Sequence, residues 1–211
     1  MTLTEQLAAH ARQSATKFPE ATQAIMKNAI KELENSNIGK LAFKKGQQLP
    51  NISLPNASGN TVNIQEELKS NKIVLTFYRG GWCPYCNLEL KALQSKQAEI
   101  EAKGAKLIAI SPESPDNSLS TTEKNALSFD ILTDTNNEVA RSLGLVYELP
   151  QNLVSLYNEF GIDLEQSQGM QSNELPIAAT YIVNQDGSID YDFIEEDYKL
   201  RAEPAAVVAA L

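Results

Sequence analysis

Histidine, cysteine and tryptophan are scarce in this chain: its 211 residues include one histidine, two cysteines and one tryptophan. The single histidine, His10, leaves little basis for Cys-His nucleophilic catalysis or a histidine-based metal site. We expect it to be a surface residue. Two cysteines alone also lack the further ligands that a zinc site needs, so no metal is expected.

Positive charge and long apolar runs are lacking as well. The chain has 18 basic and 27 acidic residues, with a formal net charge of −9. This acidity argues against a nucleic-acid partner. No stretch is long and apolar enough to span a membrane, and the first residues do not form a secretion signal. We therefore expect a cytoplasmic protein that binds neither nucleic acid nor membrane.

Both cysteines lie in residues 77–86, which read Phe-Tyr-Arg-Gly-Gly-Trp-Cys-Pro-Tyr-Cys. An apolar run over 73–78 predicts a buried strand before them, and 87–103 predicts an amphipathic helix after them. A Cys-x-x-Cys at such a junction indicates a redox dithiol. The free N–H groups and dipole at a helix N-terminus favour a thiolate there. Because reducing compartments keep cysteine pairs open, a structural staple is a weaker interpretation.

The chain divides near residue 48. Helices are predicted over 2–17 and 19–34, and a linker follows over 35–50. Residues 1–48 are therefore interpreted as an N-terminal helical extension. Residues 49–211 are interpreted as the main domain.

The main domain is predicted to be α/β. A hairpin is expected at 51–64 and another, with Asp-Gly at its turn, at 180–193. The remaining predicted elements are a short helix at 64–70, strands at 105–111 and 130–132, helices at 118–127, 136–143, 150–160 and 204–211, and an irregular stretch at 162–175. A β-α-β unit joined to a β-β-α unit is the thioredoxin-like architecture, a three-layer sandwich around a central mixed sheet. Its right-handed crossover would place the cysteine turn at the carboxyl end of a central strand.

From about Pro50 to the C-terminus the chain resembles the peroxiredoxin family, the alkyl hydroperoxide reductase and thiol-specific antioxidant group. Besides the cysteine segment, the resemblance rests on several short sequences in the family's order and spacing: Leu-Pro-Asn-Ile-Ser-Leu at 49–54, Ile-Ala-Ile-Ser-Pro-Glu at 108–113, Leu-Thr-Asp at 132–134, Val-Ala-Arg-Ser-Leu-Gly at 139–144 and Thr-Tyr-Ile-Val-Asn-Gln-Asp-Gly at 180–187.

The resemblance leaves two alignments of the cysteines open. Peroxiredoxins carry Pro-x-x-x-Thr-x-x-Cys after Phe-Tyr, which puts Cys86 in the peroxidatic place and matches Glu89 to a frequent family glutamate. Thioredoxins carry Trp-Cys-x-x-Cys, which makes Cys83 the exposed nucleophile. We favour Cys83 as the attacking thiol and Cys86 as the resolving thiol, because a position at the helix start should be more exposed.

The chain departs from both families at Ala178. Typical peroxiredoxins have an active-site arginine there, and thioredoxin-type folds have a proline. Arg79 is the expected replacement cation, although it could instead only pair with an acid such as Glu113. Glu89 is as consistent with a solvated helix face as with the site.

The residues around the cysteines have expected roles as well. Gly80 and Gly81 would let substrate approach the backbone, and Trp82 and Tyr85 would wall the site. Three residues near the C-terminus and one on a short helix are interpreted as structural: Asp197, Tyr198, Arg201 and Arg141.

The resemblance implies a thiol peroxidase that reduces hydrogen peroxide or organic hydroperoxides through a Cys83–Cys86 disulfide cycle. No cofactor is implied. Thioredoxin, glutaredoxin or glutathione would supply the electrons. A homodimer is left open. Because Cys-Pro-Tyr-Cys is glutaredoxin-like, the alternatives are a disulfide oxidoreductase without peroxide specificity and a redox sensor.

Overall fold

The computed structural model describes all 211 residues. It contains eleven helices and nine strands. The helices are α1 Leu3–Ala15, α2 Glu20–Ser36, α3 Ile38–Leu41, α4 Ile64–Leu68, α5 Pro84–Gln94, α6 Gln97–Ala102, α7 Pro115–Asn125, α8 Glu138–Ser142, α9 Gln151–Glu159, α10 Leu164–Gln168 and α11 Pro204–Ala210, with a 3₁₀ turn at Thr135–Asn137. The strands are β1 Ser53–Pro55, β2 Thr61–Asn63, β3 Lys72–Phe77, β4 Ala105–Ser111, β5 Asp130–Thr133, β6 Val146–Glu148, β7 Glu174–Pro176, β8 Ala178–Val183 and β9 Ile189–Glu195.

A five-stranded mixed sheet in the order β5-β4-β3-β8-β9 forms the centre of the molecule. β3 runs parallel to β4, and β4 runs parallel to β5. β8 is antiparallel to both β3 and β9. The predicted mixed sheet is confirmed, and β3, the strand before the cysteine segment, is its middle strand.

Side-chain alternation along the strands builds two apolar cores, one on each face of the sheet. Val74 of β3 and Leu107 of β4 belong to one core, together with Leu90 of α5. Leu75 and Ile108, their neighbours in sequence, belong to the other. Strands buried on both faces read as continuous apolar runs, which is why β3 and β4 were recognisable. The three-layer α/β prediction is confirmed.

The N-terminal helices pack against the main domain. Leu3 and Leu7 of α1 are part of the core that contains α5. Glu203, which precedes α11, accepts hydrogen bonds from the backbone N–H groups of Leu3 and Thr4, at 3.3 and 3.0 Å. Helix α2 lies against α9. The division of the chain at residue 48 stays a prediction.

Two local predictions were wrong. The helix expected over 87–103 is two helices, α5 and α6, because the chain leaves helical geometry at Lys96, where ψ is 1°. The stretch 162–175 is not irregular: Asp163 caps α10 by accepting from the Gln166 N–H at 2.9 Å, and β7 pairs with β6. Elements this short carry no periodicity that a sequence pattern can reveal. None of the helices has the length and hydropathy of a bilayer span.

Candidate active site

The cysteine segment leaves the carboxyl end of β3 through a turn that requires glycine. Gly80 has a φ of +152°, and a Cβ there would lie 2.3 Å from Nε1 of Trp82. A Cβ on Gly81 would lie 2.0 Å from the Thr121 hydroxyl oxygen. Both glycines are therefore needed because neighbouring side chains pack directly against the backbone. Cys83 is the N-cap of α5, and Pro84 occupies its first turn.

The two thiols are reduced and buried. Cys83 is 1% exposed and Cys86 is 0% exposed, so the expectation of a more exposed Cys83 is wrong in terms of surface area. The two differ in what they face. Cys83 lines a cavity of about 1100 Å³, whereas Cys86 is not among its lining residues. A molecule in the cavity can therefore reach Cys83 but not Cys86.

The thiols differ in acidity. Burial opposes ionisation of Cys83, but a hydrogen bond from Cys86 and the charges of Arg79 and Arg201 outweigh it and lower its pKa to about 5. Burial and the neighbouring Cys83 thiolate raise the pKa of Cys86. A thiolate on Cys83 repels a second negative charge on Cys86, so only one of the two thiols is ionised near neutral pH.

Arg79 is buried in an aromatic cage. Its guanidinium carbon lies 4.6 Å from the ring centre of Tyr198, 5.0 Å from that of Trp82 and 5.6 Å from that of Tyr157. Its Nη2 donates to the Tyr157 hydroxyl, and its Nε has no hydrogen-bond partner. Arg79 forms no ion pair with Glu113 or any other carboxylate. Its charge is held near the thiols by ring faces and one phenol.

Glu113 instead organises the turn. Its Oε1 accepts from the Gly81 N–H at 2.8 Å, and its Oε2 accepts from the hydroxyls of Tyr78 and Thr121, both at 3.2 Å. Burial raises the pKa of Glu113 despite these bonds. The Gly81 N–H is therefore occupied by Glu113, and the structure does not offer it to a substrate.

A second arginine, predicted to be structural, touches the redox pair. Nη2 of Arg201 donates to Sγ of Cys86 at 3.2 Å, and Nε of Arg201 donates to Oε2 of Glu89 at 2.6 Å. Arg201 and Glu89 are both buried, so the interpretation of Glu89 as a solvated face is wrong. Arg201 lies 115 positions after Cys86, and no spacing in the sequence links them.

Ala178 lies buried in β8 and contributes only a methyl group. Ala178 thus supplies no charge at the position of the family arginine, but two other cations, Arg79 and Arg201, lie near the thiols. The interpretation of Tyr198 as merely structural is also incomplete, because its ring covers Arg79. Arg141, in contrast, forms the expected ion pair, with Glu174 at 2.5 Å.

The N-terminal helices and the cysteine turn both line the cavity. His10, expected at the surface, is partly exposed, and its ring meets that of Tyr85 edge-on at 4.9 Å. Trp82 and Tyr85 both line the cavity, as expected for walls of a site. Three or more potential metal ligands do not come together anywhere in the structure. The arrangement is suited to thiol chemistry on Cys83, with a second thiol one helical turn away.

Comparison with known proteins gives a consistent picture. The model of the AhpC/TSA family matches residues 45–192. Peroxiredoxin Bcp of Escherichia coli is 26% identical over 103 residues, which cover 49% of this chain and 65% of that protein, so the match spans just under two thirds of that relative. A putative peroxiredoxin of Mycobacterium tuberculosis is 24% identical over 144 residues, covering 68% of this chain and 80% of that protein.

Solved structures agree on the fold. Peroxidoxin BcpB from Mycobacterium tuberculosis superimposes with a TM-score of 0.62 at 17% identity, covering 80% of this chain and 96% of that one. Peroxiredoxin Q of Xanthomonas campestris superimposes with a TM-score of 0.58 at 17% identity, covering 75% of this chain and 88% of that one.

Proposed function

Because this chain belongs to the AhpC/TSA family, we propose that it is a thiol-dependent peroxidase that cycles between the Cys83/Cys86 dithiol and a disulfide. One observation carries the proposal. A thiol with a lowered pKa faces a cavity at a helix N-terminus, and a second thiol lies one turn behind it beside a cation.

In the first step the Cys83 thiolate attacks the terminal oxygen of a hydroperoxide. The O–O bond breaks, Cys83 becomes a sulfenic acid, and the remaining oxygen takes up a proton to leave as an alcohol or water. Arg79 lies in the cavity wall without a carboxylate partner, so its charge can stabilise the thiolate and the oxygen that gains electrons. Trp82 and Tyr85 would hold the organic part of the substrate.

In the second step Cys86 attacks the Cys83 sulfur and the sulfenic oxygen leaves as water. Arg201 donates to Sγ of Cys86, so it favours the ionised form that this attack requires. The role of Glu89 is to hold the Arg201 guanidinium in place. Both thiols lie on one turn of one helix, so closing the disulfide does not need a distant segment to move.

The main alternative is a disulfide oxidoreductase that acts on protein thiols, which the Cys-x-x-Cys at the start of α5 also favours. A redox sensor is a third reading. The expected cytoplasmic location stays a prediction, and a homodimer stays open.

The test is to follow hydrogen peroxide and cumene hydroperoxide consumption, and to run an insulin-reduction assay beside it. We expect peroxide consumption that is lost in Cys83→Ser. A dimedone-type probe should trap sulfenic acid in Cys86→Ser but not in Cys83→Ser. Trapping only in Cys83→Ser would reverse the assignment of the two thiols, and activity confined to insulin reduction would replace the peroxidase by the oxidoreductase.

A further inference from the structure

Helices that lie before the family match form more than half of the wall over Cys83. Of the 24 residues that line the cavity, 13 lie between positions 10 and 34, and the family match begins at residue 45. Phe18, Met26 and Ile30 are apolar members of this wall. The extension therefore decides what can reach the thiol.

The burial of Cys83 limits the size of its redox partner. Disulfide exchange needs the attacking sulfur to approach the Cys83 sulfur in line, at bonding distance. A folded protein would have to present its cysteine inside a cavity that α1 and α2 line, while Cys83 offers only 1% of its surface. A cavity of about 1100 Å³ is, in contrast, large enough for a small ligand, since it lies slightly above the range of roughly 300–1,000 Å³ that is usual for such pockets.

The polar wall of the cavity carries both signs of charge. Lys27 and Lys31 lie one turn apart on α2, and neither forms an ion pair, although the protein has an excess of acidic residues. Glu20 and Glu34 lie on the same helix and also line the cavity. A ligand with separate carboxylates and an ammonium group could pair with both sets.

We propose that the reductant of the Cys83–Cys86 disulfide is a small peptide thiol with carboxylates and an amine, of the chemical class of glutathione, and that it binds in this cavity. The proposal rests on the disulfide cycle of the proposed function. It chooses between the small and the protein reductants that the family resemblance leaves open.

The exchange proceeds in two balanced steps. The thiolate of one small thiol attacks Sγ of Cys83, the Cys83–Cys86 bond breaks, and Cys86 leaves as a thiolate beside Nη2 of Arg201. A second small thiol then attacks the first thiol's sulfur in the mixed disulfide, which releases Cys83. Two thiols become one small disulfide, and their two electrons reduce the protein.

The test measures reduction without peroxide. The full-length protein is oxidised with diamide, then mixed with equal concentrations of glutathione, 2-mercaptoethanol or reduced thioredoxin, and its free thiols are counted by maleimide labelling and mass spectrometry. We expect glutathione to reduce it faster than thioredoxin. The mixed disulfide with glutathione should form on Cys83 in the Cys86→Ser variant.

Charge-reversal variants test the binding site itself. Lys27→Glu/Lys31→Glu should slow glutathione on the order of tenfold at low salt, because carboxylates are then repelled, and should leave uncharged 2-mercaptoethanol unchanged. Lys17→Glu/Lys103→Glu has the same net charge but lies outside the cavity, and should behave like the parent. All four lysines are exposed, so folding should be unaffected.

Faster reduction by thioredoxin, or an equal slowing of glutathione in both double variants, would overturn the inference. Neither result would touch the peroxidase proposal, because that depends on oxidation by peroxide. A protein that diamide oxidises but peroxides do not would instead remove the proposed function.

Discussion

Two buried arginines flank the redox pair, and they are held in opposite ways. Arg201 is paired with the carboxylate of Glu89 and touches Cys86. Arg79 has no carboxylate and lies among three aromatic rings in the cavity wall. The charge of Arg201 is therefore balanced by a carboxylate within the core. The charge of Arg79 has no carboxylate partner and can interact with a molecule bound in the cavity.

Because the two arginines are held differently, we expect them to have different roles at the thiols. A buried charge is costly unless it is paired, so Arg201 and Glu89 depend on each other. The rings around Arg79 offer only the weaker attraction of their faces, and the Cys83 thiolate supplies the missing negative charge. We infer that Arg201 positions Cys86 and that Arg79 tunes the acidity of Cys83.

The largest expected effect is on stability, in Arg201→Met. Removing this cation breaks a buried ion pair and makes Glu89, whose pKa Arg201 holds down, take up a proton at pH 8, so the free energy of unfolding should fall by about 3–5 kcal/mol. Urea denaturation measures the loss. Arg79→Met should cost clearly less, because Arg79 has no carboxylate partner and only one hydrogen bond to lose. Equal losses in the two variants would contradict the comparison.

The next effect is on the acidity of Cys83. Arg79→Met should raise its pKa by about one unit, which should move the midpoint of the alkylation profile with iodoacetamide from about 5 to about 6 and slow the reaction at pH 6 by about twofold. Arg79→Lys keeps a cation and should lose less. The measurement is the alkylation rate as a function of pH. A profile that is unchanged in Arg79→Met would show that this arginine does not tune the thiol.

A third effect is a pH dependence of stability. Burial, opposed by Arg201, raises the pKa of Glu89 from 4.5 to about 7. Between these values the folded protein holds a proton on Glu89 that the unfolded chain has released, so Glu89 makes the free energy of unfolding fall as pH rises through this window. Cys83, whose pKa is lowered to about 5, acts in the opposite direction above pH 5, so the comparison of two variants isolates Glu89. In denaturation curves measured from pH 5 to 8, the free energy of unfolding of Glu89→Gln should rise more with pH than that of the parent. Parallel pH profiles of the two proteins would contradict the raised pKa of Glu89.

The smallest effect is expected from Tyr157→Phe. The ring stays over Arg79, and only the hydroxyl that accepts from Nη2 is lost. The free energy of unfolding should fall by about 1 kcal/mol, as for one hydrogen bond, and the peroxide rate should change by less than Arg79→Met changes it. A larger loss of rate than in Arg79→Met would give the phenol a role of its own.

Much of the fold could be predicted because buried strands are continuous in sequence. The strand predicted at 105–111 has the bounds of β4, and the turn with both cysteines follows β3 as expected. Short elements were not predicted, because α10 depends on its N-cap and β7 on pairing with one partner strand. The contact of His10 with Tyr85 was not predicted either, because it results from α1 packing on α5.

The sequence by itself determined the dithiol at a strand-to-helix junction, the mixed α/β sheet and the resemblance to peroxiredoxins, since these follow from local order and short spacings. Only the tertiary structure decided which cation lies beside which thiol, that Glu89 is buried with Arg201, and that the N-terminal helices line the cavity at Cys83. Those facts join residues far apart in the chain, and their proximity arises from packing on the sheet rather than from any local pattern.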